Sequence, residues 1–391
     1  MNIYKKIGSL KDKQVLLLQG PMGDFFDKLD KQFSDAGANT YRIGLNAGDE
    51  FFSHRDNYTP FKGKMEDFRF FINNYYKENS IDMVFIFGDC RYYQSIAIKE
   101  AKKLGVKVFV FEEGYVRPNY ITLEKDGVNA YSSLPKNRDF YDVMGFDKTY
   151  EKDVITKKTN FFKLYWQSSL YFIVANLFKF KYPYYKHHRN FSVKQEFFYG
   201  CRSFYRKIKY RLKENGFEVL ITKQLSKKYF FVPLQTHGDF QIITHSKYNT
   251  IEEFILEILK SFAKYSKDNN KLIFKHHPVD RGRCDYGNFI KKHSKILNCE
   301  DKIMVVYDVH LPTLLKHTKG TIVVNSTVGL SSLYHHTPTL CMGEAIYDID
   351  GLTSQSTLDE FWSFQPEVDK RLFNRYRCYL IENTQVNDIF Y

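Results

Sequence analysis

The sequence has no paired cysteine motif, no long uncharged apolar run and no repeat or low-complexity tract. Its six cysteines (Cys90, Cys201, Cys284, Cys299, Cys341 and Cys378) are scattered, without a CxxC pair or a histidine at zinc-ligand spacing. That distribution argues against a disulfide framework or structural zinc and for reduced thiols. No window reaches the roughly 20 apolar residues needed to span a bilayer. The start, MNIYKKIGSLKDKQ, is charged and lacks the apolar core of a signal peptide, so a cytoplasmic location is expected. GxGxxG after the first strand, GxxxxGK[ST], HExxH and GxSxG are all missing, which lowers dinucleotide oxidoreductases, P-loop ATPases, zinc proteases and common hydrolases. No clustered basic motif or RNA-binding signature is present, and no nucleic-acid partner is expected.

What is present is aromatic and basic. The 391 residues contain 36 Phe and 30 Tyr, and 58 Lys+Arg against 45 Asp+Glu leave a net charge of +13. Such an excess favours an anionic partner, and the aromatic content suits sugar platforms and membrane interfaces as well as cores. The length points to two domains.

Strand, loop, helix, strand is the rhythm of the first part, with apolar runs at 14–19, 83–88 and 106–114 and helical stretches near 24–36 and 93–104. The pattern resumes near 217, with strands expected at 227–235, 271–278, 303–307 and 321–324 and a strongly amphipathic helix at 251–265. The fold class expected is α/β, two Rossmann-like domains facing a cleft (GT-B-like), with a C-terminal helix. The boundaries expected are 1–145, an aromatic-basic helical linker at 146–215, and 216–391. In the linker, Phe162, Trp166, Leu170, Ile173 and Leu177 follow helical spacing. An apolar face followed by Lys, Arg and His matches an interfacial, membrane-proximal helix; it equally matches a helix buried between domains.

Ligands of doubly wound sheets sit beyond the carboxyl ends of the strands, which singles out Gln19, Gly20, Gly88, Asp89, Arg91, Glu112, Glu113 and Gly114 in the first half, while Arg91, Arg117 and Arg281 suit an anionic ligand. Adjacent carboxylates repel, so one of Glu112 and Glu113 suits proton transfer or nucleophilic attack; a solvated strand end is the plainer alternative. In the second half, Lys275, His276, His277 and Pro278 end a strand in a loop that suits a phosphate, or is simply basic. Asn325, Ser326 and Thr327 open a helix, either as a phosphate cradle or as a plain N-cap.

Together, these blocks resemble a known family. QGPMGDFF (19–26), FGDCRYY (87–93), FEEGYVRPNYITLE (111–124), FVPLQTHGDFQI (231–242), KHHPVDRG (275–282) and VNSTVGLSSLYHHTP (324–338) look like the capsule polysaccharide biosynthesis/export family, and within it the β-Kdo transferases. The resemblance spans about residues 14–345. It implies a GT-B-like fold and transfer of β-Kdo from CMP-Kdo to a lysophosphatidylglycerol terminus, with retention of configuration. It places the protein peripherally on the inner face of the cytoplasmic membrane, beside other capsule assembly enzymes and the exporter. By motif it assigns Glu112 and Glu113 to the catalytic acid pair, His277 and Pro278 to the nucleotide side, and Ser326 and Thr327 to the CMP phosphate. Neither cofactor nor metal is expected, since Lys275, His277 and the hydroxyls can offset phosphate charge. Glu113 is the preferred nucleophile because it directly precedes Gly114. The competing class is a non-catalytic export or assembly factor that binds the glycolipid end.

Overall fold

A computed structural model describes residues 3–54, 56–144, 160–186, 193–267 and 269–391. The chain divides into two compact units: 1–133 with 149–193 and 379–391, and 134–148 with 194–378.

The first unit is built on a seven-stranded sheet. Its strands are β1 (Gln14–Leu18), β2 (Asn39–Gly44), β3 (Tyr58–Pro60), β4 (Met83–Phe87), β5 (Lys107–Glu113), β6 (Ile121–Lys125) and β12 (Gln385–Val386), ordered β12-β6-β5-β4-β1-β2-β3. β1 to β5 are parallel, while β6 and β12 add antiparallel. Residues such as MVFIF in β4 are buried on both faces, as a helix-covered parallel sheet requires. One face packs Val15, Leu17, Phe85, Phe109 and Phe111 against the helix Phe25–Asp35 and against Phe390. The other packs Leu16, Leu18, Val84, Ile86, Val108 and Val110 under the helices Phe68–Glu78 and Tyr92–Lys103.

The second unit holds a five-stranded parallel sheet of β7 (Tyr229–Pro233), β8 (Lys271–Lys275), β9 (Ile303–Val306), β10 (Gly320–Val323) and β11 (Thr339–Cys341), ordered β11-β10-β7-β8-β9. Its core is dominated by the helix Ile251–Tyr265, whose Ile251, Phe254, Ile255, Ile258, Leu259 and Phe262 are buried. The order reverses between β7 and β10, as it does between β1 and β4 in the first unit. These are the two switch points at which a doubly wound sheet takes its ligand.

The two-unit α/β architecture matches the expectation, but the boundaries do not. The 146–215 segment is not one linker, because its helices have separate anchors. The helix Phe161–Leu177 docks on the first unit through Gln167, Tyr171 and Val174. The helix Val193–Lys213 docks on the second, where Tyr210 stacks on Tyr307 with centroids 3.7 Å apart and Arg206 donates to the Arg281 carbonyl at 2.9 Å. The parts of the segment at 146–159 and 187–192 lie outside the described residues. The closing helix Lys370–Thr384 also changes unit: residues from Tyr379 onward belong to the first, where β12 pairs with β6.

Candidate active site

In the first unit, the carboxyl edge of β4 and β5 gathers Asp89, Arg91 and Glu112. Side chains alternate along β5, so Phe111 enters the core beside Phe25 while Glu112 points to the opposite face. Glu112 is partly buried, and its Oε1 accepts the Glu113 N–H at 2.9 Å. Burial lifts its pKa from 4.5 to about 7; the backbone hydrogen bond and Arg91 oppose this, while Glu113 and Asp89 add to it. Glu113 is exposed. Burial has thus changed the proton affinity of Glu112, the glutamate that the sequence reading ranked second to Glu113. Gly114 itself is required sterically, because a Cβ there would lie 2.0 Å from the Tyr120 carbonyl oxygen.

A second shifted carboxyl went unnoticed in the sequence. Glu124 on β6 is 4% exposed, accepts from the Tyr115 hydroxyl at 2.7 Å and from Ser132, and burial raises its pKa to about 7. It shares a sheet face with Glu112, through the pairs Glu112–Thr122 and Val110–Glu124. Its signal was a glutamate following Ile121, Thr122 and Leu123 in ITLEK.

Arg91 lies partly exposed with its guanidinium 5.5 Å from the Phe87 ring centroid. Arg117 is exposed and donates through Nε to the Gly114 carbonyl at 3.0 Å, bracing the loop after the acid pair. Gln19 and Gly20 serve the protein instead of a substrate. Gln19 is buried, donates to Asp49 at 3.1 Å and accepts from Gln94 at 2.9 Å, so its amide is spent on neighbours. Gly20 makes room for the Phe26 ring, which a Cβ would approach to 2.5 Å.

The same network fastens the aromatic helix. Asp49 is buried, which raises its pKa, and accepts from the Leu45 N–H and from the Tyr171 hydroxyl, both at 2.8 Å. Asn46 in turn donates to the Tyr171 oxygen at 2.7 Å. With Tyr171 turned inward, four of the five stripe residues face out, since Phe162, Trp166, Ile173 and Leu177 are exposed, while Leu170 packs partly buried beside Ala47, Val174 and Tyr182.

In the second unit, the carboxyl ends of β7, β8 and β10 bring the remaining candidates together. Lys275 donates to the Tyr307 carbonyl at 3.0 Å, and burial lowers its pKa to about 8 despite Glu214 and Asp308. His277 is partly exposed and its Nδ1 accepts the Val279 N–H at 3.2 Å, while Pro278 is exposed. Ser326 Oγ accepts the Val328 N–H at 3.2 Å, and Thr327 stands partly exposed beside it. Two candidates are engaged within the protein. His276 is 2% exposed, with its ring about 5.3 Å from that of Tyr307, and burial lowers its pKa. The Asn325 side chain accepts from Gln235 at 3.0 Å and donates to the Gln241 carbonyl at 2.9 Å, cross-linking the β7 and β10 loops. Among the described residues there is no group of three or more His, Cys, Asp or Glu that could hold a metal ion.

Two Rossmann-like sheets, one with a perturbed carboxylate at its carboxyl edge and one with basic and hydroxyl groups there, define the class, and sequence comparison gives the family. Residues 82–391 match the capsule polysaccharide biosynthesis protein family, to which this chain belongs. It is 36% identical over 382 residues to the capsule polysaccharide export protein KpsS of Escherichia coli, covering 98% of each chain. It is likewise 36% identical over 393 residues to the capsule polysaccharide modification protein LipB of Neisseria meningitidis serogroup B, covering 97% of this chain and 92% of that one. A solved structure titled Thermosulfurimonas dismutans KpsC, beta Kdo 2,7 transferase, overlaps with a TM-score of 0.42 and 14% identity, over 94% of this chain and 99% of that one. An overlap that slight assigns neither fold nor chemistry.

Proposed function

We propose that this protein is a retaining glycosyltransferase of capsule assembly that transfers β-Kdo from CMP-Kdo to a lysophosphatidylglycerol terminus. The observation that carries the reading is Glu112, a partly buried carboxyl at the end of β5 with a pKa lifted to about 7, in a chain of the capsule polysaccharide biosynthesis family. The ionised Glu112 oxygen attacks the anomeric carbon, and the carbon–oxygen bond to the phosphate breaks with its electron pair leaving on CMP. The acceptor hydroxyl then attacks the same carbon, Glu112 departs as carboxylate, and the hydroxyl proton passes to the neighbouring carboxylate Glu113. Two inversions give net retention. Arg91 favours the ionised Glu112, and Lys275, His277, Ser326 and Thr327 offset the charge of the donor phosphate.

The acceptor's lipid is accounted for by the exposed face of Phe161–Leu177, with Lys179 and Lys181 following it. No helix among the described residues is long and apolar enough to cross a membrane. An aromatic stripe flanked by lysines suits the surface of an anionic bilayer. The same feature, with the export name carried by the Escherichia coli relative, favours a second reading as a non-catalytic factor that binds the glycolipid.

Intact-protein mass spectrometry after incubation with CMP-Kdo separates the two. A Kdo adduct in wild type and none in Glu112→Gln supports the enzyme. An adduct that persists in Glu112→Gln but vanishes in Glu113→Gln moves the role by one residue. No CMP release, with or without lysophosphatidylglycerol, leaves the binding factor.

A further inference from the structure

We infer that His237 is a further phosphate-contacting residue of the second unit and that Asp280 is the residue that positions it. The inference rests on the reading of that unit as the holder of a nucleotide-linked sugar. The loop after β7 is pinned at Gln235, which is 8% exposed and donates both to Asp239 Oδ2 and to Asn325 Oδ1 at 3.0 Å. His237 lies within this loop, and its side chain is 44% exposed. Facing it is Asp280, 0% exposed, on the short turn of helix that begins at Pro278. Both carboxylate oxygens are spent on His237: Oδ2 accepts its backbone N–H at 2.8 Å, and Oδ1 meets Nδ1 at 2.7 Å.

A fully buried carboxylate is costly unless it is paired, and here both hydrogen bonds go to one solvent-facing residue. An imidazole held at Nδ1 by an acid presents its other nitrogen, Nε2, away from that acid, which is the orienting logic of acid–imidazole pairs in active sites. The location matches a ligand role. Asp280 follows His277 by three residues, and the Gln235–Asn325 bond ties the same loop to Ser326 and Thr327 at the switch point between β7 and β10. In its protonated form the ring donates Nε2–H to an anionic phosphate oxygen, a charge-assisted contact of the stronger kind.

Calorimetric titration of the full chain with CMP and with cytidine, which lacks the phosphate, tests this. His237→Ala is expected to lose roughly tenfold or more in CMP affinity, the usual cost of one charge-assisted hydrogen bond, while cytidine binding stays unchanged. Asp280→Asn is expected to lower the ratio of CMP to cytidine affinity in the same direction. In long-range 1H–15N spectra, its His237 should lose the single Nδ1–H tautomer that a carboxylate imposes. Because Asp280 is buried, its variant could fail to fold; the exposed His237 keeps the inference falsifiable. Wild-type CMP affinity in His237→Ala overturns the inference while leaving the donor reading intact. A wild type that binds neither CMP nor CMP-Kdo removes the donor reading, and this inference with it.

Discussion

Replacing Glu112 by glutamine should inactivate the protein at any pH and make it more stable as the pH rises above neutral. A carboxyl whose folded pKa is about 7 against 4.5 for the free side chain holds its proton more tightly in the folded state. Between those values the folded protein binds more protons than the unfolded chain, so stability falls as pH rises, and the full loss is present above pH 7. The displacement corresponds to at most about 3 kcal/mol. Glu112 is only partly buried, so solvent screening reduces this to roughly 1–2 kcal/mol. Glutamine has the same shape, and its amide oxygen can accept the Glu113 N–H, but it carries no charge to bury. Thermal unfolding at pH 5 and pH 8 is the assay. At pH 5, just above the pKa of the free side chain, the difference between variant and wild type should be only about a quarter of its full size. At pH 8 the variant should melt about 2–6 °C higher, and CMP release from CMP-Kdo should be abolished at both pH values. An equal difference at the two pH values, or a variant less stable at pH 8, would refute the argument that burial sets this group's proton affinity.

Two further outcomes follow from the aromatic helix. Trp166→Ala combined with Phe162→Ala should reduce flotation with anionic vesicles several-fold, and rising salt should weaken what binding remains because Lys179 and Lys181 lie in water; flotation indifferent to both would remove the lipid-surface reading. Tyr171→Phe strands the Asn46 amide and one oxygen of Asp49 in a buried site, at a cost of about 1–3 kcal/mol. Limited proteolysis should then cut the helix Phe161–Leu177 sooner than in wild type, whereas an unchanged cleavage rate would mean that the hydrogen bonds to Asp49 do not fasten it.

The central strands were legible because both their faces are covered: MVFIF and the QVLLL of β1 hold unbroken apolar runs, and helices such as Ile251–Tyr265 announce themselves by period. β6 was not, since ITLEK mixes a buried threonine and glutamate with two aliphatics, and β3 and β12 are too short to show any period. At the candidate site, Glu112, Lys275, His277 and Ser326 were legible as polar positions at or just beyond the carboxyl ends of apolar strands. Which of two adjacent glutamates turns inward depends on the phase of the pleat, and that is set by Phe111 choosing the core. His237 and Asp280 stand 43 residues apart and meet only because β7 and β8 are neighbours, so no local pattern could join them. On Phe161–Leu177 the spacing marked an apolar face without telling what covers it, while burial within the first unit falls on Gln167, Tyr171 and Val174.

The late strand β12 has a consequence for how the chain is made. Its two residues cap β6, Gln385 accepts the Tyr115 N–H at 3.0 Å, and Phe390 sits edge-on to Phe25 at 4.8 Å in the first unit's core. During synthesis, the first 133 residues leave the ribosome with one sheet edge unpaired and a gap beside Phe25, Phe87 and Phe111 that only residues 379–391 can fill. The usual order, in which an amino-terminal domain matures while the rest is still being translated, is thus closed to this protein. The second unit has all of its sequence by Cys378, and on this topology it is the first able to reach its final form. A fragment ending at residue 193 should therefore aggregate through its bare β6 edge, and supplying 379–391 as a separate peptide should keep it in solution.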